Sequence, residues 1–379
     1  MNKEDIFHQT TELLAQHHAI WSKEILFSYP NHLASYELLR QKRLYRRELF
    51  EKINSLFYHS LFNCSTSFLG SQRIDLRRLK EKKQHEITRI AHLLQQQQHF
   101  PSSLHLIDLC GGMGHLANHL KSHLPFFQQA TSFDNDEKLQ QKGRELYGHH
   151  VSFKSKDISV LNALDFPQRE PLFLCGLHSC GALSLKQLQL SKEIPASFFL
   201  NVGCCYHKLK ESECNLSQMA KDNFTFHNNE SLTLATRGHE KESPQNRLHK
   251  IRVKRFRYTF YLLGLRYFPH LPIQQLRSSP ATLYKQSFTT YVQEQLKRLS
   301  LPPEEFSETF LEHFFKEEKN KKEVKMMIHL GEYRKEFGKL LELQIVLDRY
   351  FWVQESTRQN IQLKRIFDPQ ISPRSLAIF

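Results

Sequence analysis

Between residues 104 and 203, short apolar runs alternate with stretches whose apolar positions recur at helical intervals. LHLIDL (104–109), ATSFD (130–134), VSFKSKDI (151–158), PLFLCGLH (171–178) and ASFFLNVG (196–203) each predict a strand. Helices are expected after residue 114, through KLQQKGREL (138–146) and near LSLKQLQL (183–190). This alternation is the signature of a parallel sheet with crossover helices.

The flanks complete the pattern. Leu39, Leu44, Phe50, Ile53 and Phe57 recur at helix-like intervals, and glutamines 95–98 followed by Pro101 end that helical region. LLELQIVLDRYFWV (340–353) is apolar almost all round and predicts a buried helix. IQLKRIF (361–367), the turn-forming DPQISP (368–373) and RSLAIF (374–379) predict an antiparallel hairpin closing one sheet edge. The fold class is therefore α/β, a Rossmann-like three-layer α/β/α sheet. A helical N-terminal region (1–100) precedes a core split between 101–207 and 333–379. A basic, mostly helical insertion (208–332) lies ahead of the hairpin.

Charge narrows the partner. With 53 basic and 39 acidic residues, the net charge is +14, which favours a polyanion, and nucleic acid is the commonest one in a cell. RQKRLYRR (40–47) carries five positive charges, and RIDLRRLKEKK (73–83) adds more. RLHKIRVKRFR (247–257) carries six without an acid. In that segment Val253, Phe256, Phe260 and Leu263 can pack on one helix face while Arg252, Lys254, Arg255 and Arg257 stay solvated, a mixture suited to phosphate contact and base stacking. KEEKNKKEVK (316–325) is mixed in sign and reads as surface. Seven cysteines, two of them the neighbours Cys204 and Cys205, argue against a disulfide framework and for a reducing, cytoplasmic setting. No secretion signal and no membrane span is expected.

LHLIDLCGGMGHLANHL (104–120) is a glycine loop between a strand and a helix, where backbone N–H groups are exposed to a ligand. Gly112-Met-Gly114-His-Leu-Ala117 satisfies a dinucleotide pattern, and Asp134 is placed to accept hydrogen bonds from a ribose. A nicotinamide cofactor and S-adenosylmethionine would both use that acid. Asp108-Leu-Cys110-Gly-Gly112-Met-Gly114 follows the D-x-G-x-G-x-G spelling of methyltransferases, with Cys110 replacing a glycine. Asp157 stands where methyltransferases often face the adenine amino group. Three acids ending three successive strands favour S-adenosylmethionine, although each could instead cap a helix or form a turn.

GLHSCGALS (176–184), NVGCCYHKL (201–209), KKQHEI (82–87), SSPATLYKQSFTTYVQEQLKRLSL (278–301) and FDPQISPRSLAIF (367–379) resemble the methyltransferase-like protein 25 family, which includes relatives with a ribosomal RNA adenine dimethylase domain. The H-x-C-G and C-C-x-H spellings are also similar to those of acceptor-stem tRNA 2′-O-methyltransferases. The resemblance implies a class I methyltransferase fold, S-adenosylmethionine as cofactor, and RNA modification as a plausible class. It also implies that Lys82, Lys83, His85 and Glu86 cover the site, with His85 beside the cofactor; a solvated helix end is the alternative.

The chemistry then falls on a few side chains. His178 or His207 could take a proton from a hydroxyl acceptor, and Asn201 could position an amine through its side-chain carbonyl. Cys180 is a candidate catalytic residue, although Cys180, Cys204 and Cys205 could simply pack in the interior. Zinc accepts ligands such as His178, Cys180, Cys204, Cys205 and His207. However, the spacing is not that of a C-x-x-C knuckle and adjacent cysteines seldom both reach one metal, so no metal is expected. The expected function is an S-adenosylmethionine-dependent methyltransferase acting on RNA or a ribonucleoprotein component. The rivals are protein or small-molecule methylation, a non-catalytic RNA-binding protein that keeps the fold, and a nicotinamide oxidoreductase.

Overall fold

A computed structural model describes residues 1–28, 40–63, 79–97, 99–167, 170–194, 197–225, 227–237, 243–271, 279–357 and 360–379. Expectations at Leu39, Gln98, Ala196, Ser278 and residues 73–78 lie outside the described residues. The strands are β1 (Leu104–Leu109), β2 (Phe127–Asp134), β3 (Ser152–Ser155), β4 (Leu172–Cys180), β5 (Phe198–Cys204), β6 (Leu363–Arg365) and β7 (Leu376–Ile378). They form one sheet in the order β3-β2-β1-β4-β5-β7-β6. β1 to β5 pair in parallel, while β7 runs antiparallel to both β5 and β6. This is the class I, Rossmann-like methyltransferase fold.

All six residues of β1 are buried, as a central parallel strand covered on both faces must be. Leu104 and Leu106 share one face with Phe173, Leu177, Leu200 and Val202, and pack with Ile87, Ile90 and Leu94 of the helix Glu81–Gln95 and with Leu116 and Leu120 of the helix His115–His123. The opposite face holds the helix Ala182–Glu193. There Gln187 Nε2 donates to the carbonyls of Leu174 and Leu200, and a Cβ on Gly176 would lie 2.0 Å from Gln187 Oε1. Buried Arg349 lies on the same side, donating to Ser184 Oγ at 3.2 Å.

The chain divides into two compact units. One comprises Met1–Gln16, Glu51–His239 and Gly338–Phe379; the other comprises His17–Phe50 and Glu240–Phe337. These boundaries differ from the expected ones: residues 1–16 and 51–100 group with the sheet instead of forming a separate N-terminal region, and two further stretches change side. Residues 208–237 group with the sheet because Asp348 accepts from the N–H groups of Leu216 and Ser217, and Arg374 donates to the Ala235 carbonyl. Residues 17–50 group with the insertion, where Arg46 donates to Tyr333 Oη at 2.8 Å and lies 4.8 Å from that ring's centre. The apolar stretch 340–353 is the last part of a 37-residue helix, Glu318–Gln354. Among the described residues, no helix is long and apolar enough to cross a membrane.

Candidate active site

The glycine loop begins where β1 ends. Gly112 and Gly114 adopt φ of +57° and +70°, which glycine reaches without steric cost. Cys110 also adopts a left-handed φ, +60°, so the one departure from the glycine spelling sits at a position that calls for glycine. Its thiol is buried enough that its pKa rises to about 12. A Cβ on Gly111 would come within 2.4 Å of Ser132 Oγ and 2.7 Å of Asp108 Oδ2, so the loop closes directly onto the acid.

Asp108 is fully buried. The Ala117 backbone N–H, in the first turn of the helix His115–His123, hydrogen-bonds its carboxyl, while Oδ2 has no partner among the described residues. Burial pushes its pKa up to about 7, against the pull of the Lys83 ammonium. Asp134 Oδ2 accepts from Gly112 N–H at 2.9 Å, and its Oδ1 accepts from Asp136 N–H at 3.0 Å. These bonds brace the loop and leave further lone pairs on both oxygens. A buried carboxyl oxygen with no partner among the described residues, beside the glycines at 111, 112 and 114, fits a cationic ligand group. Residues Asp108, Gly112, Gly114 and Asp134 therefore suit an adenosyl sulfonium donor.

At the end of β4 the register with β5 shifts between Leu177 and Ser179, leaving His178 as the bulged residue at φ +63°. Bulges re-aim side chains, and this one accompanies a contact between His178 Nε2 and Glu86 Oε1 at 2.6 Å. Glu86 is almost wholly buried on the helix Glu81–Gln95. Although burial opposes it, hydrogen bonds from His178 and Ser372, with Lys82 nearby, hold its pKa down to about 2. An ionised carboxylate only accepts, so Nε2 carries a proton and Nδ1 is the nitrogen left to exchange one with an acceptor.

The expected site residues do not all converge. Asn201 is buried against the helix Ala182–Glu193: its Oδ1 accepts from Ser184 Oγ, and its amide donates to Ser184 O and Gln187 Oε1. With its carbonyl occupied there, it holds the helix to β5 rather than an acceptor. Asp157 is exposed, and Oδ1 accepts from Ser159 N–H at 2.8 Å; that capping bond accounts for the acid at this position. His85 Nε2 accepts from Asp368 N–H and its ring meets Phe367, so it secures the segment ahead of the last strand rather than a cofactor. Its neighbours Lys83 and Glu86 are the members of that helix that act on Asp108 and His178. His207 contacts Thr236 Oγ1 at 3.4 Å, and burial lowers its pKa.

Three thiols meet beside His178. Cys180 Sγ lies 3.5 Å from Cys204 Sγ and 3.3 Å from Cys205 Sγ, and the latter two are 3.5 Å apart. A hydrogen bond from Cys204, helped by Cys205 and the charge of Lys208, lowers the Cys180 pKa to about 5, while that of Cys204 is pushed far up. The pairing of Cys180 with Cys204 in register explains the first contact. Cys205 joins them because its left-handed conformation, φ +52°, breaks the alternation that would turn it to the other face. Adjacent cysteines are expected seldom to reach one metal together, and here both sulfurs come to one side for that reason. Ser372 was not singled out from the sequence; the only signal was its place in the turn DPQISP.

Residues 82–212 match the family model described as a methyltransferase domain. The chain carries a methyltransferase domain. Among solved structures, the chain is similar to the 23S rRNA methyltransferase ErmE, at 14% identity over 69% of this chain and 98% of that chain, with a TM-score of 0.26. It is also similar to the plantazolicin methyltransferase BpumL in complex with SAH, at 12% identity over 77% of this chain and 94% of that chain, with a TM-score of 0.25.

Proposed function

We propose that this methyltransferase modifies RNA, free or within a ribonucleoprotein, and that its two basic segments grip the phosphate backbone. The observation that carries the reading lies in the unit His17–Phe50 with Glu240–Phe337. A cavity of about 410 Å³ there is lined by Arg247, Lys250, Arg255, Lys321 and Lys325. A second, of about 270 Å³, is lined by Arg40, Lys322 and again Lys325 and His329. Segments some two hundred residues apart in sequence thus border cavities that share two side chains, which concentrates positive field where a polyanion can lie. Arg255 lies over the Phe315 ring at 5.1 Å, pairing a cation with an aromatic face.

Not every cation of 247–257 is available to a ligand. Arg252 donates to the carbonyls of Tyr284 and Gln286, Lys254 pairs with Glu332 at 2.6 Å, and Arg257 approaches Glu24 at 3.9 Å. The expectation that all four of Arg252, Lys254, Arg255 and Arg257 stay solvated is corrected accordingly. Internal carbonyls and carboxylates satisfy three of them.

At the sheet, S-adenosylmethionine supplies an electrophilic sulfonium methyl when bound. Asp108, Asp134 and the loop at Gly112 and Gly114 bind and orient it in this reading. His178 Nδ1 receives the acceptor's proton, and Glu86 stabilises the imidazolium that forms. The family-level affinity remains that of the methyltransferase-like protein 25 resemblance. Six unbridged cysteines among the described residues fit a reducing, cytoplasmic setting.

The deciding experiment incubates the protein with methyl-labelled donor and fractionated cellular RNA and protein. Label in an RNA fraction is expected, with its incorporation lowered when Arg40, Arg247, Lys250 and Lys325 are changed to Gln. Each lost phosphate contact should flatten the dependence of log affinity on log salt by ~0.7–0.9. Label confined to protein, or an unchanged salt slope, overturns the RNA assignment.

A further inference from the structure

We propose that Cys180, Cys204 and Cys205 form a zinc site in which three thiolates hold one Zn²⁺ and the fourth position stays open. Three sulfurs stand at 3.3, 3.5 and 3.5 Å from one another, close to an equilateral triangle. Tetrahedral zinc with Zn–S bonds of ~2.3 Å places its sulfurs about 3.8 Å apart. A cation equidistant from these three at that bond length sits roughly 1.2 Å above their plane, so small outward shifts of the side chains complete the geometry. A disulfide would use two of the sulfurs and leave the third without a role, whereas the cation uses all three.

The backbone is built to deliver this arrangement. Cys180 ends β4 and Cys204 ends β5 as its register partner, with Gly181 N–H bonded to the Cys204 carbonyl at 2.9 Å. Gly181 has φ +54°, and a Cβ there would lie 2.8 Å from Lys208 Cβ. Its bare backbone lets the 205–208 turn close down, which brings Cys205 over Cys180. Cys180 and Cys205 are partly exposed, so an ion can enter, while Cys204 is buried and its thiol reaches the His178 carbonyl at 3.2 Å. Binding displaces whatever thiol protons remain and leaves three thiolates and one Zn²⁺ with a net charge of −1, which lies within reach of the Lys208 ammonium.

The site would fasten the ends of β4 and β5 next to the bulge that aims His178. It does not depend on RNA being the acceptor, and its test reads metal rather than methyl transfer. The reduced full-length chain is stripped of metal and titrated with Co²⁺. Uptake of one ion per chain is expected, with sulfur-to-cobalt charge transfer and visible bands of a tetrahedral complex. Cys180→Ser and Cys205→Ser should lose those bands while retaining the far-ultraviolet dichroism of the folded protein; Cys214→Ser, outside the cluster, should keep them. A measurement on the unmutated protein guards against misfolding: Zn²⁺ should protect Cys180, Cys204 and Cys205 from alkylation, read by peptide mass mapping. No cobalt uptake, bands that survive Cys180→Ser, or alkylation unaffected by Zn²⁺ would each overturn the site. So would a Cys180–Cys205 disulfide forming with no metal bound.

Discussion

His178 Nε2 lies 2.6 Å from Glu86 Oε1, joining the bulged end of β4 to a helix 92 positions earlier in the chain. Ser372 Oγ donates to the same carboxylate oxygen at 2.7 Å, so the last hairpin's turn closes the set. The carboxylate fixes both the tautomer and the orientation of the ring. A base whose lone pair is held in place loses less freedom as the acceptor proton moves.

Replacing His178 with Ala should therefore lower the single-turnover rate of methyl transfer by ~10²–10⁴ if the acceptor is a hydroxyl. Donor affinity should not change, because His178 is assigned to the acceptor side. Glu86→Gln preserves shape but loses the anion, and a smaller rate loss is expected. Single-turnover kinetics with labelled donor, together with calorimetry of donor binding, check both. Equal rates in His178→Ala and the unmutated enzyme would remove the histidine from the proton path.

Asp134 serves the loop and the proposed ribose contact together, since Oδ2 already accepts from Gly112 N–H. Hydrogen bonds to a charged group contribute roughly 1.5–3 kcal/mol each. Asp134→Ala should weaken donor binding by about 10- to 100-fold in calorimetry, by loss of both the loop brace and the acceptor. Affinity within a factor of two of the original, read in the same titration, would show that another residue holds the ribose.

Much of the fold could be read in advance because a buried parallel strand and an amphipathic helix leave different periodicities. LHLIDL and LFLCGL are apolar on both faces, and both lie in the middle of the sheet. The glycine loop and Asp108 were legible for a related reason, since a strand end followed by glycines has few uses. The partnerships were not legible. Asp157 and Asp134 are both acids following strands, yet one caps its own turn and the other braces a loop 22 residues away. Asn201 lies in a motif that resembles a site, but strand alternation turns it to the face covered by Ser184 and Gln187. Left-handed conformations at His178 and Cys205 redirect both side chains, and a periodicity of two carries no trace of such a break.

Cys110 tests whether the departure from glycine matters. Its φ of +60° costs a side-chain-bearing residue on the order of 1–2 kcal/mol, whereas glycine removes that strain but adds unfolded-state entropy worth roughly 0.5–1 kcal/mol. Cys110→Gly should accordingly leave stability unchanged or raise it by up to about 1 kcal/mol, with donor affinity retained. Cys110→Ala keeps the strain and gains nothing. Urea unfolding of the two variants separates the cases. If Ala matches Gly, backbone strain at this position is not what distinguishes the spelling.

Asp108 and Glu86 should pull stability in opposite directions as pH changes. The folded pKa of Glu86, about 2, is below its ordinary 4.5, so its contribution is present above pH 4.5 and is lost as pH falls toward 2. Asp108 is raised from 3.8 to about 7, so the native state holds a proton that the unfolded chain has released. Its contribution is full below pH 3.8 and is lost as pH rises through 7, a penalty of a few kcal/mol at pH 8. Asp108→Asn abolishes that titration. The variant should melt higher than the unmutated protein at pH 8, and the gap should close toward pH 4. The same variant should bind donor more weakly, because a buried anion facing a cationic ligand is then missing. Thermal unfolding between pH 4 and pH 8, paired with calorimetric titration of donor, reads both effects. A variant that melts lower at pH 8 while binding donor normally would mean that the Asp108 carboxylate supports the fold rather than the ligand.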